Sequence, residues 1–107
     1  MQIDIQARGF VLTEGLRAHV EKRLRFALTR FHDRVVRTAV RLSDVNGPRG
    51  GLDKHCQLQL RLRGLPDIVV KDTEADLYVA VDRAAERAGR TLGRHLRWAR
   101  NWLAAAP

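Results

Sequence analysis

The first residues of the chain alternate. Ile3, Ile5 and Ala7 fall on one side and Gln2, Asp4, Gln6 and Arg8 on the other, which predicts a half-buried strand over Gln2 to Arg8. The period then changes. Thr13 can cap a helix, and Leu16, Val20, Leu24, Ala27 and Phe31 follow at steps of four, four, three and four, so the helix is predicted to run to about Phe31. Alternation returns over Val35 to Ser43, with Val36, Thr38, Val40 and Leu42 on one face. It returns again over His55 to Arg63, where Cys56, Leu58, Leu60 and Leu62 interleave with polar residues. A turn at Gly64 to Asp67 leads to a fourth strand, Ile68 to Asp72. Thr73-Glu74-Ala75-Asp76 then fits a capping box with Thr73 as N-cap. In the helix it opens, Leu77, Val81, Ala84, Ala85, Ala88, Leu92 and Ala99 occupy a sector of roughly 100°.

This order, β-α-β-β-β-α, predicts an α+β fold. Each strand has one apolar face, so both helices should cover the same side of a four-stranded mixed sheet, a two-layer sandwich. The first crossover is long enough to make strands one and two parallel neighbours, and the last three strands form an antiparallel meander. At 107 residues a single domain spanning 1–107 is expected. The irregular stretch is SDVNGPRGGLDK, an open connection from Ser43 to Lys54.

Charge changes the picture more than composition does. The net charge is +8 and the pI about 11.2, with arginine far ahead of lysine. Such an excess favours polyanions, nucleic acid first and anionic membrane second. On the last helix Arg83, Arg87, Arg90, Arg94 and Arg97 recur at steps of four, three, four and three. They form a row roughly 21 Å long within a sector of roughly 80°, opposite the apolar stripe. A row of like charges repels itself, which an ordinary wet face avoids by interspersing acids. The first helix adds Arg17, Lys22, Arg23, Arg25 and Arg30. We take Lys22, Arg23, Arg25, Arg83, Arg87, Arg90, Arg94 and Arg97 as the candidate RNA-binding set. Arg8, Arg37, Arg41, Arg61 and Arg63 on the other sheet face are secondary, and without aromatics that face does not resemble an RNA-recognition-motif sheet. The last helix has little apolar surface to spare for lipid, so no membrane partner is expected. Trp98 and Trp102 lie between its two faces and suit packing on the first helix, base stacking or self-association.

Two stretches resemble a known family, the short ribosome hibernation-promoting factors, also called ribosome-associated inhibitors or sigma-54 modulation proteins. MQIDIQARGFVLTEGLRAHVEKRL is similar at T-E-x-L-R, here Thr13 to Arg17, to the family's first-helix opening. DLYVAVDRAAERAGRTL is similar to its D-x-Y-x-A-I-D followed by a basic helix. The resemblance implies binding to the small ribosomal subunit through rRNA, in the channel used by mRNA and tRNA, with translation blocked under stress. It also implies basic contacts at Arg23, Arg87, Arg90, Arg94 and Arg97, a packing role for Tyr78, and a structural or RNA-adjacent acid at Asp82. Thr91 stands where the family often has glutamine, the Ser43 to Lys54 connection is longer than usual, and the chain ends at WARNWLAAAP. No C-terminal dimerisation domain is therefore expected.

Other chemistry finds no support. Cys56 is the only cysteine, so no intrachain disulfide can form and a reducing, cytoplasmic setting is expected. His19, His32, His55 and His95 are scattered, and His55 and Cys56, adjacent on a strand, point to opposite faces and cannot readily share a metal. Asp44, Asn46 and Asp53 lack the spacing of an EF-hand. No enzyme activity, metal, cofactor or small-molecule substrate is expected. The alternatives to a ribosome-bound inhibitor are a protein-binding modulator of a sigma factor and a general RNA-binding domain.

Overall fold

A computed structural model describes residues 1–44 and 53–105, the side chains of 101–105 excepted. The alternating segments form strands β1 (Gln2–Arg8), β2 (Val35–Asp44), β3 (Lys54–Leu62) and β4 (Leu65–Glu74). The periodic segments form helices α1 (Glu14–Ala27) and α2 (Leu77–Ala105). The sheet order is β1-β2-β3-β4, with β1 parallel to β2 and the other pairs antiparallel, as the pattern predicts. Most of the Ser43 to Lys54 connection and the side chain of Trp102 lie outside the described residues.

One face of the sheet carries the core. Ile3, Ile5 and Ala7 stand beside Thr38, Val40 and Leu42, followed across the sheet by Leu60, Leu58 and Cys56 and by Ile68, Val70 and Asp72. Leu16, Val20 and Leu24 of α1 and Ala80, Val81, Ala84, Ala85, Ala88 and Leu92 of α2 close over this face. Each fully buried leucine or valine contributes about 1.5–3 kcal/mol relative to exposure, so packing rather than propensity holds α1, which is only 14 residues long.

Four local details depart from the pattern. The first helix ends at Ala27, and Thr29–Phe31 form a separate 3₁₀ turn. A register shift between Val35 and Arg37 turns Val35 inward and leaves Val36 40% exposed, the reverse of strict alternation. The turn between β3 and β4 is tighter than GLPD implied. Gly64, at φ +70, lets the chain reverse so that Leu65 already pairs with Leu62, and Pro66 is tolerated because β4 is an edge strand. Finally, Asp76 and not Thr73 opens α2: its Oδ1 accepts from the backbone N–H groups of Tyr78 (2.7 Å) and Val79 (3.3 Å). Thr73 stays in β4, where its hydroxyl meets Nδ1 of His55 on β3 at 2.7 Å. A capping aspartate is favoured beside the helix's positive end.

Cys56 is 1% exposed at the centre of the core. Burial, with a smaller contribution from Asp72 opposite it on β4, pushes its thiol up to about 12. Since the thiolate is the nucleophile, the native protein should resist alkylation at neutral pH and react only after denaturation. Mass spectrometry after iodoacetamide, with and without guanidinium, checks this. Labelling of the native protein at the rate of a free thiol would contradict it.

Candidate nucleic-acid interface

The two helices meet along a seam made by small residues and closed at one end by charge. At Gly89 an added Cβ would lie 2.9 Å from the carbonyl oxygen of Ala27, so only glycine allows this approach. Gly93 faces the ring of Phe31, whose Cζ is 3.5 Å from the position a Cβ would take. Toward the N-terminal end of α2, Nε2 of His19 lies 2.6 Å from Oδ1 of Asp82, and the His19 and Tyr78 rings stack obliquely at 4.9 Å. Nε of Arg23 lies 3.1 Å from the same Asp82 oxygen without aligning its N–H, so the contact is an ion pair and not a hydrogen bond. Arg23 also reaches Glu86 at 3.5 Å. Asp82 thus clamps the two helices, and Tyr78 packs on α1.

Beyond that clamp the seam opens into a groove of about 800 Å³. Arg90, Arg94, Arg97 and Arg100 line it from α2, and Arg23 and Arg30 from the α1 side. Glu86 is the acid in its lining. Phe26 and Phe31 also line it. The guanidinium carbon of Arg23 lies 6.0 Å from the Phe26 ring centre, and that of Arg30 lies 5.6 Å from Phe31. Within the described residues, Arg90, Arg94, Arg97 and Arg100 make no ion pair, and Glu86, the acid on the α2 wall, is engaged by Arg23.

The candidate set therefore divides. Arg90, Arg94 and Arg97 share the groove with Arg23. Arg83 and Arg87 turn toward the sheet edge. Arg83 lies 3.6 Å from Glu74, while Arg87 donates to the Lys71 carbonyl and reaches Oδ1 of Asp72 at 3.4 Å. Asp72 is buried, and its Oδ2 has no hydrogen-bond partner, so Arg87 is the charge that faces it. Hydrogen bonding to Asp72 raises the neighbouring Glu74 carboxyl above its ordinary value. Lys22 and Arg25 are exposed on α1 and do not line the groove. Trp98 is 66% exposed and so does not pack fully against α1.

Pattern reading left Arg30 out of the candidate set and missed Arg100, Phe26 and Phe31 as groove residues. Arg100 continues the row by a further step of three, drifting toward α1. Phe26 was legible as an apolar residue off the apolar stripe and on the Arg23 side of α1, a signal that periodicity alone discards.

The opposite sheet face is open. Arg8, Arg37, Arg41, Arg61 and Lys71 stand on it among Gln6, Gln57 and Gln59. Two of these groups are engaged by acids: Arg37 pairs with Asp4 at 2.5 Å and Gln59 donates to Asp67 at 2.9 Å. His55 is exposed here while Cys56 is buried on the far side, which separates the two. No helix among the described residues is long and apolar enough to cross a membrane.

A family model described as sigma 54 modulation protein / S30EA ribosomal protein matches residues 3–98. Among solved structures, the chain is similar to the N-terminal domain of Protein Y from Thermus thermophilus, at 29% identity and a TM-score of 0.75, over 89% of this chain and 99% of that one. A ribosomal subunit interface protein from Coxiella burnetii superposes with a TM-score of 0.75 at 21% identity, over 91% of this chain and 99% of that one, a likeness of fold. No curated protein matches the chain.

Proposed function

The chain belongs to the sigma 54 modulation protein / S30EA ribosomal protein family, and from that premise we propose that it is a ribosome-associated factor that binds the small subunit through rRNA and inhibits translation. The observation that carries this reading is the groove. Its α2 wall presents Arg90, Arg94, Arg97 and Arg100 with no ion pair among the described residues, and Arg23 and Arg30 face them. Arginine's planar fork suits phosphate oxygens, and contacts to backbone phosphate position a protein without reading sequence. Placed in the mRNA and tRNA channel, the helices would occupy the path of the message, so occupancy and translation exclude each other.

Sedimentation of lysate from starved cells through a low-salt sucrose gradient tests the proposal. The protein should migrate with 30S or 70S particles and leave them as salt is raised. Recovery only at the top of the gradient, at low salt and under starvation, would sink the reading.

A further inference from the structure

We propose that the groove between α1 and α2 accepts single-stranded RNA and seats one unstacked base on the ring of Phe26. This rests on the groove being the RNA interface and adds which form of RNA it takes. A single exposed apolar side chain is ordinary on a protein surface. What sets Phe26 apart is where its ring sits. It is 76% exposed, yet it lines the same groove as Arg23, Arg90, Arg94 and Arg97. The Arg23 guanidinium near this ring brings positive charge to the place where a nucleotide would lie.

Gly89 and Gly93, also in the lining, contribute main chain instead of side chains, Gly89 against the Ala27 carbonyl and Gly93 against the Phe31 ring, so neither projects a side chain into the groove. Every base has a π-face, and base–aromatic stacking within a positively charged groove tolerates any sequence. A duplex keeps its bases stacked inside and offers mainly phosphate and sugar, from which an exposed ring gains nothing. The open sheet face supplies the contrast. Its arginines stand among glutamines, without a phenylalanine, tyrosine or tryptophan in either of its concavities. The one ring there, His55, is engaged by the Thr73 hydroxyl at 2.7 Å, so this face suits a backbone.

The test measures affinity of the full chain for a short labelled RNA strand, for that strand annealed to its complement, and for the strand carrying an abasic position. Phe26→Ala should weaken single-strand binding by roughly 5- to 150-fold, the range of base–aromatic stacking. Duplex affinity, the slope against salt and the thermal melt should stay as in the parent, because the ring is exposed and uncharged. Phe26→Trp should restore single-strand binding. If Phe26→Ala binds the single strand as tightly as the parent while Arg90→Ala and Arg97→Ala weaken it, the base seat is overturned and the groove survives as an interface. If none of the three variants weakens RNA binding, the groove reading itself fails. Loss of self-association in Phe26→Ala, with RNA affinity unchanged, would assign the ring to a contact between two copies and overturn the proposal.

Discussion

Replacing Arg90, Arg94 and Arg97 together with glutamate is expected to abolish binding to isolated 30S subunits while leaving the circular-dichroism spectrum native. All three are exposed and have no ion pair among the described residues, and Arg94 donates only to Thr91 one turn away at 3.4 Å, so the fold loses little when they change. Each arginine on a phosphate releases condensed counterions, worth about 0.7 to 0.9 units of log–log slope. At roughly 0.1 M salt three lost contacts correspond to about two to three decades of affinity, before the repulsion that glutamates add. The parent, engaging about five phosphates, should show a slope of roughly −3.5 to −4.5, and single Arg→Ala variants should each flatten it by nearly one unit. Titration at several salt concentrations reads both effects. A parent slope near zero, or a triple variant that binds as tightly as the parent, would place the interface elsewhere.

Arg87 should behave in the opposite way. It belongs to the same row by spacing, yet it reaches the buried Asp72 and the Lys71 carbonyl at the sheet edge. Removing one partner of a buried charge pair is costly because the other charge is stranded, about 3–5 kcal/mol when both are buried. The Arg87 side chain is 48% exposed, so water screens part of the interaction and about 2 kcal/mol is a better expectation for Arg87→Ala. For a domain of this size that lowers Tm by about 8–15 °C. The loss should grow with pH. Glu74 has its carboxyl raised by Asp72, so its contribution to stability is complete below its ordinary value of 4.5 and fades as pH climbs through the raised value; Arg87 lowers that value and limits the fading. The variant should therefore lie nearest the parent in acid and diverge toward neutrality. A double-mutant cycle with Asp72→Asn checks the assignment: the cost of losing Arg87 should shrink once Asp72 is uncharged. An equal cost in both backgrounds would show that Asp72 is not the partner.

The contrast between Arg87 and Arg90 marks where sequence reasoning stops. Helical spacing gives the angle of a side chain about its own axis, and on that measure the two are neighbours. It does not say which other element lies alongside. β4 runs beside one flank of the row and α1 beside the other, so one arginine serves the fold while its neighbour faces the groove. The strands were legible for the converse reason, since burial of one face imposes period two wherever the sheet is regular. It failed at Val36, where the register shifts, and at Thr73, whose hydroxyl is engaged across the sheet and leaves the cap to Asp76.

The contact between Gly89 and the Ala27 carbonyl has a mechanical consequence. It fixes the gape of the groove by main-chain atoms, which do not change rotamer, so the jaw neither yawns nor tightens with the motions of its arginines. The helices touch there through backbone, so a group that enters the groove rests on a fixed floor between the side chains and does not pass between the helices. A floor set during folding also forfeits little disorder when the groove is filled, and more of the contact energy remains as affinity.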